Sequence, residues 1–361
     1  MKFILSRVNL WKSVVSKRFL HESKFLNSRI NGGLCKFKLI NYKTVNFHTT
    51  NTKYIAPIGP VGLFLIKNVA RITVVVLSRF IRKNYSILKG RYEYLNKILI
   101  SYIILPFFLI VVYYYSNLEK TLITNRKRFL AFSNEHIHEI SQIQVKQIYK
   151  EQFSTILPKS HRIYKLINSI VSNLVRNNRS LFDKRRPYID VIVINSNQVN
   201  AISMPCGTIL VYTGILDKCQ NDNDLAIILA HEMAHIILKH GSEKISMSHI
   251  MDVLLIIISA TIWLILPTDM FSGFGEYIAN HFTKILSLPY SRMMELEADY
   301  VGLLLMAKAC MNIKNNQHFW FNFDDNMKEM SHLSTHPSSD LRAENIKIHF
   351  NEAKNIQKKI C

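Results

Sequence analysis

Cysteine is scarce in this chain of 361 residues, with five in all and no pair at CxxC spacing. That excludes a disulfide-scaffolded secreted miniprotein and a cysteine-ligated zinc site. Acidic residues are nearly missing from the first 97 positions, where only Glu22 and Glu93 stand against 19 Lys and Arg, a balance of +17. The other 264 residues carry 27 basic and 23 acidic residues, a balance of only +4. The overall charge of +21 therefore lies ahead of the folded part, whereas a groove for a polyanion would need the excess on it. No nucleic-acid partner is expected. Internal repeats and low-complexity blocks are also absent. What the chain has in plenty is apolar material, 48% of residues with 11% aromatic, enough to bury a core in one large domain or two small ones.

Residues 1–53 hold eleven Lys and Arg and one acid amid Ser, Asn and Thr, with Phe3, Ile4, Leu5, Val8, Leu10 and Trp11 interleaved. A secretory signal would show an unbroken apolar core of about seven to fifteen residues, and Lys12, Lys17 and Arg18 interrupt any such run. The composition is that of a mitochondrial transit peptide. Residues 54–97 read as a basic amphipathic segment, because Lys67, Arg71 and Arg79 break the apolar stretch at 61–81. Residues 98–118 carry no charge over 21 positions, which at about 1.5 Å per residue spans a hydrocarbon core of roughly 30 Å. They are read as a transmembrane helix with Tyr113, Tyr114 and Tyr115 at one interface. Residues 253–268 are short for a span and equally compatible with a buried helix or an interfacial hairpin.

Residues 119–361 have the size of a single domain. Apolar residues at Ile163, Leu166, Ile167, Ile170, Val171 and Leu174 form the stripe of an amphipathic helix. Runs at 188–194 and 208–213 read as strands, and Pro205, Cys206 and Gly207 supply a turn and a small antiparallel edge. The rest reads helical. The expected fold class is mainly α with a small antiparallel β-sheet (α+β).

The chemistry concentrates in a helix over residues 221–241, which opens on Asn and Asp and meets Gly241 at its end. Within it stands His231-Glu232-Met233-Ala234-His235. Four residues make slightly more than one turn, so the two histidines share a face and can bind one metal ion. Glu232, beside the first, is placed to take a proton from water at that metal. Three such polar groups on an apolar, capped helix would be buried without compensation if no metal were bound. A catalytic zinc takes three protein ligands, so a third must lie elsewhere. A second helix, introduced by Pro289 and Ser291, places Glu295, Ala298, Asp299 and Gly302 at i, i+3, i+4 and i+7. Glu295 can reach the metal, and Asp299 can accept the spare N–H of a ligating histidine. Ala298 and Gly302 leave room for the helices to approach. Alone, this acidic run with Glu297 would read as a solvated face; its pairing with HExxH reverses that.

HEMAH, SRMMELEAD and STHPSSDLRAENI together resemble the Ste24/HtpX-type zinc metallopeptidases. NRKRFLAFS, NAISMPCGTILVYTGIL and SRMMELEADYVGLLLMAKAC are closer still to that family's mitochondrial inner-membrane members, and the resemblance covers about residues 120–350. It implies a gluzincin-type zinc metallopeptidase domain behind an N-terminal membrane anchor. One Zn2+ per chain would be held by His231, His235 and Glu295, with Glu232 as general base and Asp299 in support. It further implies an endopeptidase of the mitochondrial inner membrane, its domain facing the intermembrane space. Membrane-anchored proteins, a dynamin-like fusion GTPase among them, would be cut there beside the lipid in stress response and quality control. Assembly as a homo-oligomer is left open.

His336 and Arg342 match the family's closing motif, which implies support of the site or of an oxyanion, although a histidine before proline is also an ordinary turn residue. Asn200 and Ala201 read either as part of an edge strand that pairs with an extended substrate or as part of an ordinary strand. His136 and His138 are read as solvated, and His240 as a cation at a helix end. Among Cys206, Cys219, Cys310 and Cys361 a redox-sensitive pair is left unassigned. Two rival readings stay open: a prenyl-protein type protease of the endoplasmic reticulum, which would need several clear spans, and a membrane scaffold with a dead site, against which the intact motif argues.

Overall fold

The computed structural model describes residues 92–182, 188–265, 272–325 and 339–361, with side chains for 104–182, 188–258, 290–321 and 340–361. The expected transit segment, nearly all of the basic segment that follows it, and His336 lie outside the described residues. Helix α1 (Tyr92–Ser116) runs through Pro106. Ile104, Leu105, Phe107, Phe108 and Leu109 are all exposed on it, and farther along Ile110, Tyr113 and Tyr114 pack against Phe129, Ala131 and Ile250. Among the described residues no helix is long and apolar enough to cross a membrane, and the expected span at 98–118 is described only in part.

Immediately after α1 the chain folds into an antiparallel hairpin of β1 (Leu118–Lys120) and β2 (Lys127–Phe129), with Leu118 opposite Phe129. Three-residue strands rich in charge offer no alternation, so the sequence gives no sign of them. Helix α2 (Asn134–Glu151) is capped by Ser133, whose hydroxyl accepts from the His136 N–H at 3.3 Å. Helix α3 (Arg162–Asn177) buries Ile167, Ile170, Val171 and Leu174, the inner part of the stripe.

The main sheet holds β3 (Asp190–Ile194), β4 (Ala201–Met204) and β5 (Thr208–Tyr212) in the order β3-β5-β4. The expected antiparallel edge is the β4–β5 hairpin, with Gly207 in its turn at φ +90°, a conformation that favours glycine. The first expected strand pairs with β5 in parallel instead, because β4 intervenes in the chain and the direction reverses twice.

Helix α4 (Asp222–Ile237) begins where the Asn221 side chain accepts from the N–H groups of Asn223 at 2.9 Å and Asp224 at 3.1 Å. Its stop is Lys239, at φ 54°, ahead of Gly241, and α5 (His240–Ile265) starts at once. Gly241 is needed for another reason, since a Cβ there would stand 2.6 Å from Pro205 Cγ. Residues 253–265 thus continue one helix. The helix carrying Glu295, α6 (Ser272–Lys308), starts well before the expected point and runs through Pro289, which forgoes one backbone donor. Helices α7 (Asn316–Asp325) and α8 (Ser339–Ile360) complete the layer, and a disulfide joins Cys310 to Cys361.

Helices α4 and α6 cross at Gly302, where a Cβ would stand 3.2 Å from the carbonyl carbon of Ala230 and from the His231 amide nitrogen. Gly302→Ala should therefore lower stability by about 1–3 kcal/mol through overpacking, despite the roughly 1 kcal/mol that alanine gains in helix propensity. Thermal unfolding of the detergent-purified chain checks this; an unchanged or higher Tm would mean that α4 gives way.

Candidate metal centre

His231 and His235 leave the same face of α4 because they are four residues apart, and Glu295 reaches them from α6. The two Nε2 atoms are 3.1 Å apart. Glu295 Oε2 lies 3.2 Å from His231 Nε2, and Oε1 lies 3.5 Å from His235 Nε2. A tetrahedral zinc ion with bonds of about 2.0–2.1 Å has ligand-to-ligand edges of about 3.3 Å, so the two imidazole nitrogens and the Glu295 carboxylate approach one another about as closely as ligands of one such ion would. All three residues are buried, and the donor set of two imidazoles and one carboxylate is that of a catalytic zinc site. Glu232 is buried beside them on α4.

Behind His231, Asp299 Oδ1 lies 2.9 Å from Nδ1. Arg342 from α8 donates to the same carboxylate through Nε at 2.8 Å and an NH2 group at 2.7 Å. A carboxylate only accepts, so Nδ1 carries a hydrogen, and Nε2 is the atom that would ligate a metal in the cluster. The Arg342 guanidinium also lies 3.4 Å over the Trp320 ring, which is 5.2 Å from the His231 ring. Burial opposes a charge on His231, but the Asp299 and Glu295 carboxylates outweigh it and raise its pKa to about 9. Burial likewise works against ionisation of Asp299, yet Arg342 and His231 hold it below the usual carboxylate range.

The other histidine backs onto groups to which the sequence reading gave no part in the site. His240, expected as a cation at a helix end, is buried with its Nδ1 2.8 Å from His235 Nδ1, and burial pushes its pKa down to about 3. Glu297, given no role of its own by the sequence, is buried 3.1 Å from His240 Nε2 and hydrogen-bonded to Arg126. His136 is buried against Phe132, and His138 lines a cavity of about 400 Å3. That cavity also touches His235, Ser203 and Met204 on the edge strand β4, and Phe182. Ala201 lies at the start of that edge strand, and the Asn200 carbonyl accepts from the Tyr212 N–H at 3.1 Å. Arg126, His240 and Trp320 were missed because none falls in a spaced motif with the ligands, and Glu297 because it lies two residues from Glu295, on the other side of the helix. A histidine one turn beyond HExxH was the one signal on offer.

Known proteins align with this arrangement. The model of peptidase family M48 matches residues 164–349, which take in both histidines, Glu295, Asp299 and Arg342. The mitochondrial metalloendopeptidase OMA1 of Bos taurus is 31% identical over 316 residues, covering 83% of this chain and 60% of that protein. The OMA1 mitochondrial metalloendopeptidase of Saccharomyces cerevisiae is 30% identical over 252 residues, 65% of this chain and 70% of that one. The metalloprotease YcaL of Escherichia coli is 28% identical over 160 residues, 43% and 59%. The chain spans about 60% of the length of the curated mammalian relatives it matches. With the match running through more than half the chain and through every residue of the buried cluster, this protein belongs to peptidase family M48.

Proposed function

We propose that this chain is a zinc-dependent endopeptidase of the mitochondrial inner membrane, with its folded domain on the intermembrane-space side. Its substrates are membrane-tethered proteins cut in stress response and quality control, and the family resemblance points to a dynamin-like fusion GTPase among them. The observation that carries this reading is the convergence of His231 Nε2, His235 Nε2 and the Glu295 carboxylate at the spacing of ligands on one metal ion, next to Glu232. When bound there, zinc supplies a Lewis acid that polarises the scissile carbonyl and makes nearby water more acidic. Glu232 takes the proton of the attacking water and hands it to the leaving amine. With the metal bound, His231 and His235 would each offer the Nε2 lone pair, the ring oriented by a group at its Nδ1. The free edge of β4 can pair with an extended substrate, with a side chain entering the cavity next to His235.

Compartment and topology rest on separate supports. The matched relatives are named as mitochondrial, and the first 53 residues have transit-peptide composition. Apolar side chains exposed along α1 fit a lipid environment, and the Cys310–Cys361 disulfide fits an oxidising compartment. The test reconstitutes the full-length chain in liposomes with one cleavable sequence presented either on a membrane anchor or free in solution. Tethered substrate should be cleaved faster at equal bulk concentration, because both partners share one surface. Equal rates would remove the membrane-surface part of the reading, and no zinc-dependent cleavage of either would remove the protease.

A further inference from the structure

His231 has a carboxylate behind it, but the group behind His235 is another histidine, and what lies behind that histidine decides how it works. His240 Nε2 is 3.1 Å from Glu297 Oε2. The carboxylate accepts, so His240 donates from Nε2 and keeps a lone pair on Nδ1. That lone pair faces His235 Nδ1 at 2.8 Å, so His235 carries its hydrogen on Nδ1 and leaves Nε2 free toward His231 and Glu295. The choice of tautomer at a ligand is thus made two side chains away, at Glu297.

Glu297 is itself held from a different part of the chain. It accepts from the Thr124 hydroxyl and from Arg126 Nε at 2.7 Å. The two remaining guanidinium nitrogens of Arg126 fork onto Glu243, each at 2.7 Å, and Glu243 also accepts from the Tyr290 hydroxyl. The side chains of Glu243, Glu297 and His240 are 0%, 6% and 1% exposed. Thr124 and Arg126 lie in the turn of the β1–β2 hairpin, which directly follows α1. Only a planar cation with several donors can bridge two carboxylates in this way; lysine offers a point charge.

We propose that His240, Glu297 and Arg126 form a positioning relay that fixes the His235 ring for zinc from the hairpin that directly follows α1. The proposal rests on the zinc reading above. Its consequence is that the segment linking anchor to domain is part of the metal centre's support: disturbing it loosens the metal without touching a ligand.

Full-length chain in detergent is titrated with zinc against a chromophoric chelator as wild type, Arg126→Lys, Glu297→Gln and the double variant, and the Tm of each metal-stripped form is recorded. The relay predicts zinc affinity about 10–100-fold weaker in either single variant. The double variant should be no weaker than the worse single one, since both break the same line of contacts. Glu297→Gln keeps the side-chain shape and serves if Arg126→Lys fails to fold. Variants that lower the Tm of the stripped protein but bind zinc as wild type does overturn the relay and leave a structural ion pair. Independent, multiplying losses in the double variant overturn it as well. A wild-type chain that binds no zinc overturns the underlying zinc reading, and the relay with it.

Discussion

Glu232→Gln should lower peptide-bond hydrolysis by about 10²–10⁴-fold while zinc content stays at the wild-type level. Glutamine has nearly the shape of glutamate, and the three atoms that face the metal belong to His231, His235 and Glu295, so fold and ligation survive. What is lost is a basic oxygen in the buried cluster that can take a proton from water and return it to the amine. His231 cannot substitute, since its Nδ1 hydrogen is committed to Asp299 and its Nε2 to the cluster. Nor can His235, whose Nδ1 is committed to His240. The measurement compares both proteins in cells lacking the endogenous enzyme, following cleavage of an inner-membrane substrate after depolarisation, with zinc content determined on purified material. Equal cleavage by the variant would mean that another protease, or another base, does the work.

How much of this centre could be read in advance depends on how local its logic is. HExxH and the Glu295–Asp299 pair are set by helical spacing, so two turns of sequence place them. The same spacing gives no role to Glu297. Two residues apart on a helix point to nearly opposite sides, so a buried Glu295 argues for an exposed Glu297. The β1–β2 hairpin covers that second side, and its short, charged strands carry no pattern that a sequence can announce. His240 misled. It looked like the end of the zinc helix, but Lys239 ends α4 first and His240 opens the next helix pointing inward. Pro289 passed for a helix start because its missing N–H is harmless there, yet α6 tolerates it in its interior. The miss at Glu297 concerns what packs against a segment from elsewhere in the chain, and those at His240 and Pro289 concern where a helix begins and ends.

The same asymmetry between local and distant partners sets the second large effect, at Arg342. Arg342→Met should cost about 3–5 kcal/mol of stability, because it strips a buried carboxylate of its charge partner and leaves Asp299, 2% exposed, with little besides the His231 N–H. For a domain of this size that corresponds to a Tm about 10 °C lower. Zinc affinity should fall about 10–100-fold as Asp299 ceases to hold the His231 ring. Methionine can still cover part of the Trp320 face, so lost packing is the smaller contribution. Adding Asp299→Asn to Arg342→Met separates the two effects. The amide is uncharged, which removes the buried charge and should return most of the stability, and its oxygen can still accept from His231 Nδ1. Zinc affinity should recover only in part, because a neutral amide raises the basicity of the imidazole less than a carboxylate does. Differential unfolding and chelator competition on the three proteins give the answer. If the double variant is as unstable as the single one, the damage at Arg342 lies in its stacking on Trp320 and the buried-charge argument fails.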